Sequence, residues 1–180
     1  MFSTVFDREK FKSLVHYIIA RAGSKPGFGA TKLNKVLWFA DARQYVSAGK
    51  SITGAEYTRQ QFGPVPKFIM PIRDELVAEG KIRVDAPKSR FEGWRFRSLR
   101  APADPDLTDS ERVTVDYWIK HISEDHTADS ISEESHDYAW EIAKMGEPLP
   151  YFAYLASRVR EPNDEEMDWA RASARRLGLA

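Results

Sequence analysis

The sequence predicts a mainly α fold: a compact multi-helix single domain with one small β-hairpin. Three observations carry this. Apolar residues recur at steps of three and four along most of the chain, the period of helices packed on one side. Only residues 81–84 and 94–99 show the short, alternating or apolar-rich character of paired strands. Finally, 42% apolar residues in a chain of 180 supply the single core that this length normally builds.

The elements follow in chain order. Phe11, Leu14, Val15, Ile18 and Ile19 form a stripe, with Asp7 as N-cap, so residues 7–21 read as an amphipathic helix. Gly23-Ser24-Lys25-Pro26-Gly27-Phe28-Gly29 breaks it, because the glycines are flexible and Pro26 lacks an amide proton. A second helix carries Leu33, Val36, Leu37 and Ala40, with Trp38, Asp41 and Tyr45 on an adjacent face, and stops at Gly49. Residues 51–61 read as an irregular extended segment. Gly63-Pro64-Val65-Pro66 is expected to open a helix that runs to Glu79, with Pro71 kinking it or marking its first turn. Gly80 ends that helix. The hairpin over 81–84 and 94–99 comes next, then a linker over 101–106. Thr108 with Glu111 forms a capping box for a helix to Ile122, anchored by Val113, Tyr117 and Trp118. Ser132, Ser135 and His136 divide residues 127–144 into two short helices, with Trp140 and Ile142 on the second. Gly146-Glu147-Pro148-Leu149-Pro150-Tyr151 is a rigid turn, and Asn163 with Glu166 caps a final helix bearing Met167, Ala170, Ala174 and Leu177.

Composition narrows the function. Lys plus Arg and Asp plus Glu both number 27, so no global field draws the chain to nucleic acid or anionic lipid. Cysteine is absent, which excludes disulfides, thiolate metal sites and cysteine nucleophiles and fits a reducing compartment. Asp7, Arg8, Glu9 and Lys10 interrupt the apolar run that a secretory leader needs, and no window has the roughly 18 apolar residues of a membrane span. A cytoplasmic protein is expected.

Catalytic signatures are missing. No nucleophile elbow, no S-x-x-K and no phosphate-cradling glycine loop occurs, so neither an enzyme nor a cofactor is expected. His121, Glu124, Asp125 and His126 form the best metal-like cluster, yet two histidines five apart on a helix point in different directions. The cluster therefore reads as a solvated loop and no metal is expected. His136 precedes Trp140 by one turn, which lets the rings stack and makes it a structural histidine. Phe62, Trp38, Trp94 and the turn at Pro64 and Pro66 supply material for a peptide-binding groove. The rival is a winged-helix-like DNA-binding regulator, because a helix followed by a hairpin carries Lys88, Arg90, Arg95, Arg97 and Arg100. Glu92, Asp85 and the zero net charge argue against it.

The helix Thr31-Lys32-Leu33-Asn34-Lys35-Val36-Leu37-Trp38-Phe39-Ala40-Asp41 resembles that of the Panacea domain, or SocA-like, family. Further ordered features agree: the I-T-G turn at Ile52-Thr53-Gly54, the aromatic-G-P-V-P segment Phe62-Gly63-Pro64-Val65-Pro66, and Leu76, Gly80 and Ile82. Ser135, His136, Trp140 and the turn ending in Tyr151 complete the pattern, which spans residues 7–155.

The resemblance implies an antitoxin of a bacterial or prophage toxin–antitoxin system that binds and neutralises a cognate toxin protein. It also implies, for one type of member, delivery of that toxin to the ClpXP protease as a proteolytic adaptor. A one-to-one or two-to-two complex is expected, the latter with the chain as a homodimer. No catalytic residue transfers. Residues 1–155 are then the antitoxin domain and 156–180 a C-terminal helical extension. The candidate partner-binding or motif residues are Lys32, Trp38, Asp41, Phe62, Gly63, Pro64, Val65, Pro66, His136, Trp140 and Tyr151.

Overall fold

Asp7 accepts a 2.9 Å hydrogen bond from the Lys10 amide and so starts helix α1 (Arg8–Ala22), whose buried stripe is the one the spacing predicts. This computed structural model describes residues 5–89, 92–152, 154 and 164–176. After the glycine-bearing loop comes α2 (Ala30–Ala48), buried on most of its circumference and closed by Gly49 at φ 73°. It packs against α4 (Asp109–Glu124) and α5 (Ala128–Glu134), which places it at the centre of the molecule. Phe39 of α2 stacks on Trp118 of α4, centroids 4.6 Å apart and 16° from parallel.

The segment after α2 differs from expectation. Residues 57–66 are neither an irregular stretch nor a helix start; they form a tight antiparallel hairpin of β1 (Tyr57–Gln60) and β2 (Gly63–Pro66). Its register runs from Tyr57 opposite Pro66 to Gln60 opposite Gly63. Strand β5 (Pro148–Leu149) adds to the other edge of β1, giving the order β2-β1-β5. Two prolines are tolerated because β2 is an edge strand. They also fall on alternate positions: the Lys67 amide, just after Pro66, donates to Glu56 O at 2.9 Å, so in this register the prolines occupy the positions whose amides the ladder does not use.

Helix α3 (Ile69–Ala78) accordingly begins three residues past Pro66, with Pro71 in its first turn, and Gly80 follows at φ 64°. The expected hairpin is present as β3 (Ile82–Asp85) and β4 (Arg95–Ser98), with Val84 opposite Phe96 on the packed side. The fold therefore keeps its mainly α character, and its described residues hold two small sheets where one hairpin was expected.

Thr108 and Glu111 make the capping box of α4. Of its three expected anchors only Trp118 is buried; Val113 and Tyr117 are exposed. Val115, Ile119 and Ile122 take their place, because the stripe continuing from Glu111 at steps of three and four is the one facing α2. The break between α5 and α6 (Tyr138–Ile142) occurs at residues 135–137, as the polar residues there suggest. Helix α7 (Asp164–Arg176) ends the described chain. Asn163 and Leu177, and the side chains of Glu166, Ala170 and Ala174, lie outside the described residues. Among those described, no helix is long and apolar enough to cross a membrane.

Candidate functional site

Asp41 is fully buried at the end of α2's apolar arc, where donors from Thr53, Tyr57 and the Ile52 backbone surround it. The Thr53 amide donates to Oδ1 at 2.9 Å, while the Thr53 and Tyr57 hydroxyls donate to Oδ2 at 2.8 Å each. Burial nevertheless pushes its carboxyl up to about 6, the donors offsetting only part of the desolvation. This knot ties α2 to β1. Trp38 lies edge-on to Tyr57 and is stacked with Tyr151, which in turn stacks with Tyr45 and donates its hydroxyl to Ala55 O.

One turn before Trp38 on α2, Lys35 is almost wholly enclosed. Its Nζ donates to Pro64 O at 3.3 Å, and desolvation lowers its amine to about 7. Gly63 sits against it at φ 97°; a β-carbon there meets Ser135 Oγ at 2.3 Å and Lys35 Nζ at 2.4 Å. The φ strains any side chain there, and the two side-chain ends it would meet are held in place, Ser135 by Ser132 O and Lys35 by Pro64 O. Lys35, Gly63 and Ser135 thus dock the β1–β2 hairpin onto α2 and the end of α5.

At that junction a polar aromatic stack comes to the surface. His136 and Trp140 lie face to face, centroids 3.6 Å apart and 7° from parallel. The Arg59 guanidinium is 4.1 Å from the Trp140 ring, and its Nε donates to Trp140 O at 3.1 Å. Trp140 Nε1 donates to Gln60 O at 3.1 Å, so both the ring and its backbone are held by β1. Burial, with Lys35 and Arg59 nearby, moves His136 below the usual histidine range and favours a neutral imidazole. Phe62 occupies the two-residue turn between β1 and β2 and is 57% exposed.

The predicted site residues therefore divide. Lys32, Trp38, Asp41, Gly63, Pro64 and Pro66 are buried and cannot offer a contact surface; Phe62 is exposed, and Val65, His136, Trp140 and Tyr151 are half-buried. Ser132 Oγ is 3.4 Å from His136 Nε2, while Ser135 Oγ donates to Ser132 O at 2.7 Å and is turned inward. Lys35 and Arg59 were not among the predicted residues. The signal for Lys35 was a second lysine on the apolar arc of α2; nothing in the spacing marked Arg59, which depends on strand register.

Two other predictions meet the structure differently. Arg95 and Arg97 are exposed on β4, beside Asp85 and Arg83, which pair with each other at 2.8 Å; Arg90 lies outside the described residues. The hairpin also forms, with residues 23–31, a groove lined by Phe28, Trp94 and Phe96. The histidines at 121 and 126 do converge, contrary to the helical argument, because α4 ends at Glu124 and His126 belongs to the corner before α5.

A family model described as "Antitoxin SocA-like, Panacea domain" matches residues 33–141, more than half of the chain, from α2 to α6. No curated protein and no solved structure matches it.

Proposed function

The chain belongs to the SocA-like antitoxin family that carries the Panacea domain, and on that premise we propose that it neutralises a cognate toxin by direct protein–protein contact. The observation that carries the reading is the division of the motif residues: the buried ones brace a single hairpin, and the exposed one at its tip is Phe62. An aromatic held out on a two-residue turn, with Arg59, Trp140 and His136 fixed behind it, offers contact area without much entropy to lose. The toxin is met in the cytoplasm, and the chain acts through this surface and not as an enzyme.

The test is isothermal titration of the chain against the product of the adjacent open reading frame, with light scattering to distinguish one-to-one from two-to-two stoichiometry. Binding is expected, and its weakening in Phe62→Ala locates the surface. Occlusion is the mode proposed. A toxin half-life that shortens only when both the chain and ClpXP are present moves the mode to proteolytic delivery.

A further inference from the structure

We propose that His121, His126 and Glu134 form a binding site for a divalent transition metal of the zinc class, at the corner between α4 and α5. This goes beyond the antitoxin reading and does not depend on it. The corner is short: Asp125 caps α4, with its amide donating to His121 O at 2.9 Å, and Thr127 caps α5. His126, between the two caps, is folded back onto the last turn of α4. Glu134, at the end of α5, reaches the same point.

The distances fit a coordination sphere. His121 Nε2 and His126 Nε2 are 3.2 Å apart, and Glu134 Oε2 is 3.4 Å from His126 Nε2. All three ligand atoms lie within 4.8 Å of one another. Ligands about 2.0–2.1 Å from a tetrahedral ion are separated by about 3.3–3.4 Å along each edge.

The outer contacts favour the ligating tautomer. His121 Nδ1 is 2.8 Å from Asp125 Oδ2, and His126 Nδ1 is 3.2 Å from Ser130 Oγ. In the tautomer with each Nδ1–H donating outward, both Nε2 lone pairs are free to face a cation placed between them. A carboxylate–histidine pair of this kind orients the ring toward the metal. Glu134 and Asp125 supply two negative charges to match the ion. Tyr117, stacked on His121 at 5.5 Å, holds that ring still. The site is open to entry, with side-chain exposures of 27% for His121, 16% for His126 and 40% for Glu134. Bound metal would pin the end of α4 to α5, which carries Ser132 and leads into Ser135 beside Lys35 and Gly63.

The experiment uses the full chain without a histidine tag, stripped with a chelator and titrated with Zn²⁺ against a chromophoric competitor, and separately with Co²⁺. One equivalent of Zn²⁺ is expected, with a raised melting temperature and tetrahedral Co²⁺ absorption bands. His126→Ala should abolish all three. Asp125→Asn should weaken affinity roughly 10- to 100-fold. If His126→Ala fails to fold, Glu134→Gln at an exposed position serves in its place. Zn²⁺ uptake unchanged in these variants, or no uptake by the wild type, overturns the proposal.

Discussion

His136 lies flat on Trp140, 3.6 Å between centroids, in a stack that Arg59 also touches, and β1 fixes the indole by accepting its N–H at Gln60 O. The hairpin bearing Phe62 and the α5–α6 corner are therefore tied together by this stack. A surface already ordered before its partner arrives loses little entropy on binding.

Phe62→Ala removes an exposed ring that contributes nothing to the core. A hot-spot residue costs at least about 2 kcal/mol, or roughly 30-fold in Kd. Affinity for the toxin should fall by that factor while the urea midpoint stays within error of wild type. Titration calorimetry beside a denaturation curve checks both.

Gly63→Ala should be among the most damaging single changes. It combines a φ of 97° with a β-carbon placed within 2.4 Å of Ser135 Oγ and Lys35 Nζ. More than about 2 kcal/mol of stability should be lost. Gly27→Ala is the control, since its φ of 71° is similar but nothing lies within 4 Å, and a cost of about 1 kcal/mol is expected. Equal losses at both positions would remove Gly63 from the docking contact.

Lys35 and Asp41 give the stability a defined pH dependence. The Lys35 amine is lowered to about 7 in the fold, so between pH 7 and its unfolded value the unfolded chain binds more protons and stability rises with pH. Asp41, raised to about 6, does the reverse: stability falls as pH climbs from its unfolded value to 6. Wild type measured against Lys35→Met should gain a few kcal/mol at most between pH 7 and 10. Parallel curves for the two proteins would contradict a desolvated ammonium at this position.

The helices were legible because their periodicity is dictated by one buried face: α1 and α2 follow the apolar stripe closely, and Asp7 and Thr108 cap as expected. The β1–β2 hairpin was not, because Pro64 and Pro66 resemble a helix start until the edge position of β2 is known. On α4, local spacing allowed two stripes, and only the position of α2 chooses between Val113 and Val115. The site was half legible. Its motif residues were named from sequence, but which were buried depends on how α2, the hairpin and α5 meet. The histidine pair shows the same limit, since a helical spacing argument fails once the helix ends between the two residues.

Arg95 and Arg97 distinguish the antitoxin from a DNA-binding regulator. They share an outward face with Asp85 and Arg83, of which the last two are paired. No salt-sensitive duplex binding is expected, and Arg95→Ala with Arg97→Ala should leave toxin affinity unchanged. A gel shift that weakens steeply with salt and disappears in the double variant would favour the regulator.

The most direct measurement is growth under controlled expression of the adjacent open reading frame, alone, with the wild-type chain, and with Phe62→Ala. Expression alone should arrest growth, the wild-type chain should restore it and co-purify with the product, and Phe62→Ala should restore less growth and co-purify less product at equal abundance. A neighbour that leaves growth unimpaired, or an arrest that persists beside the wild-type chain, would contradict the antitoxin role.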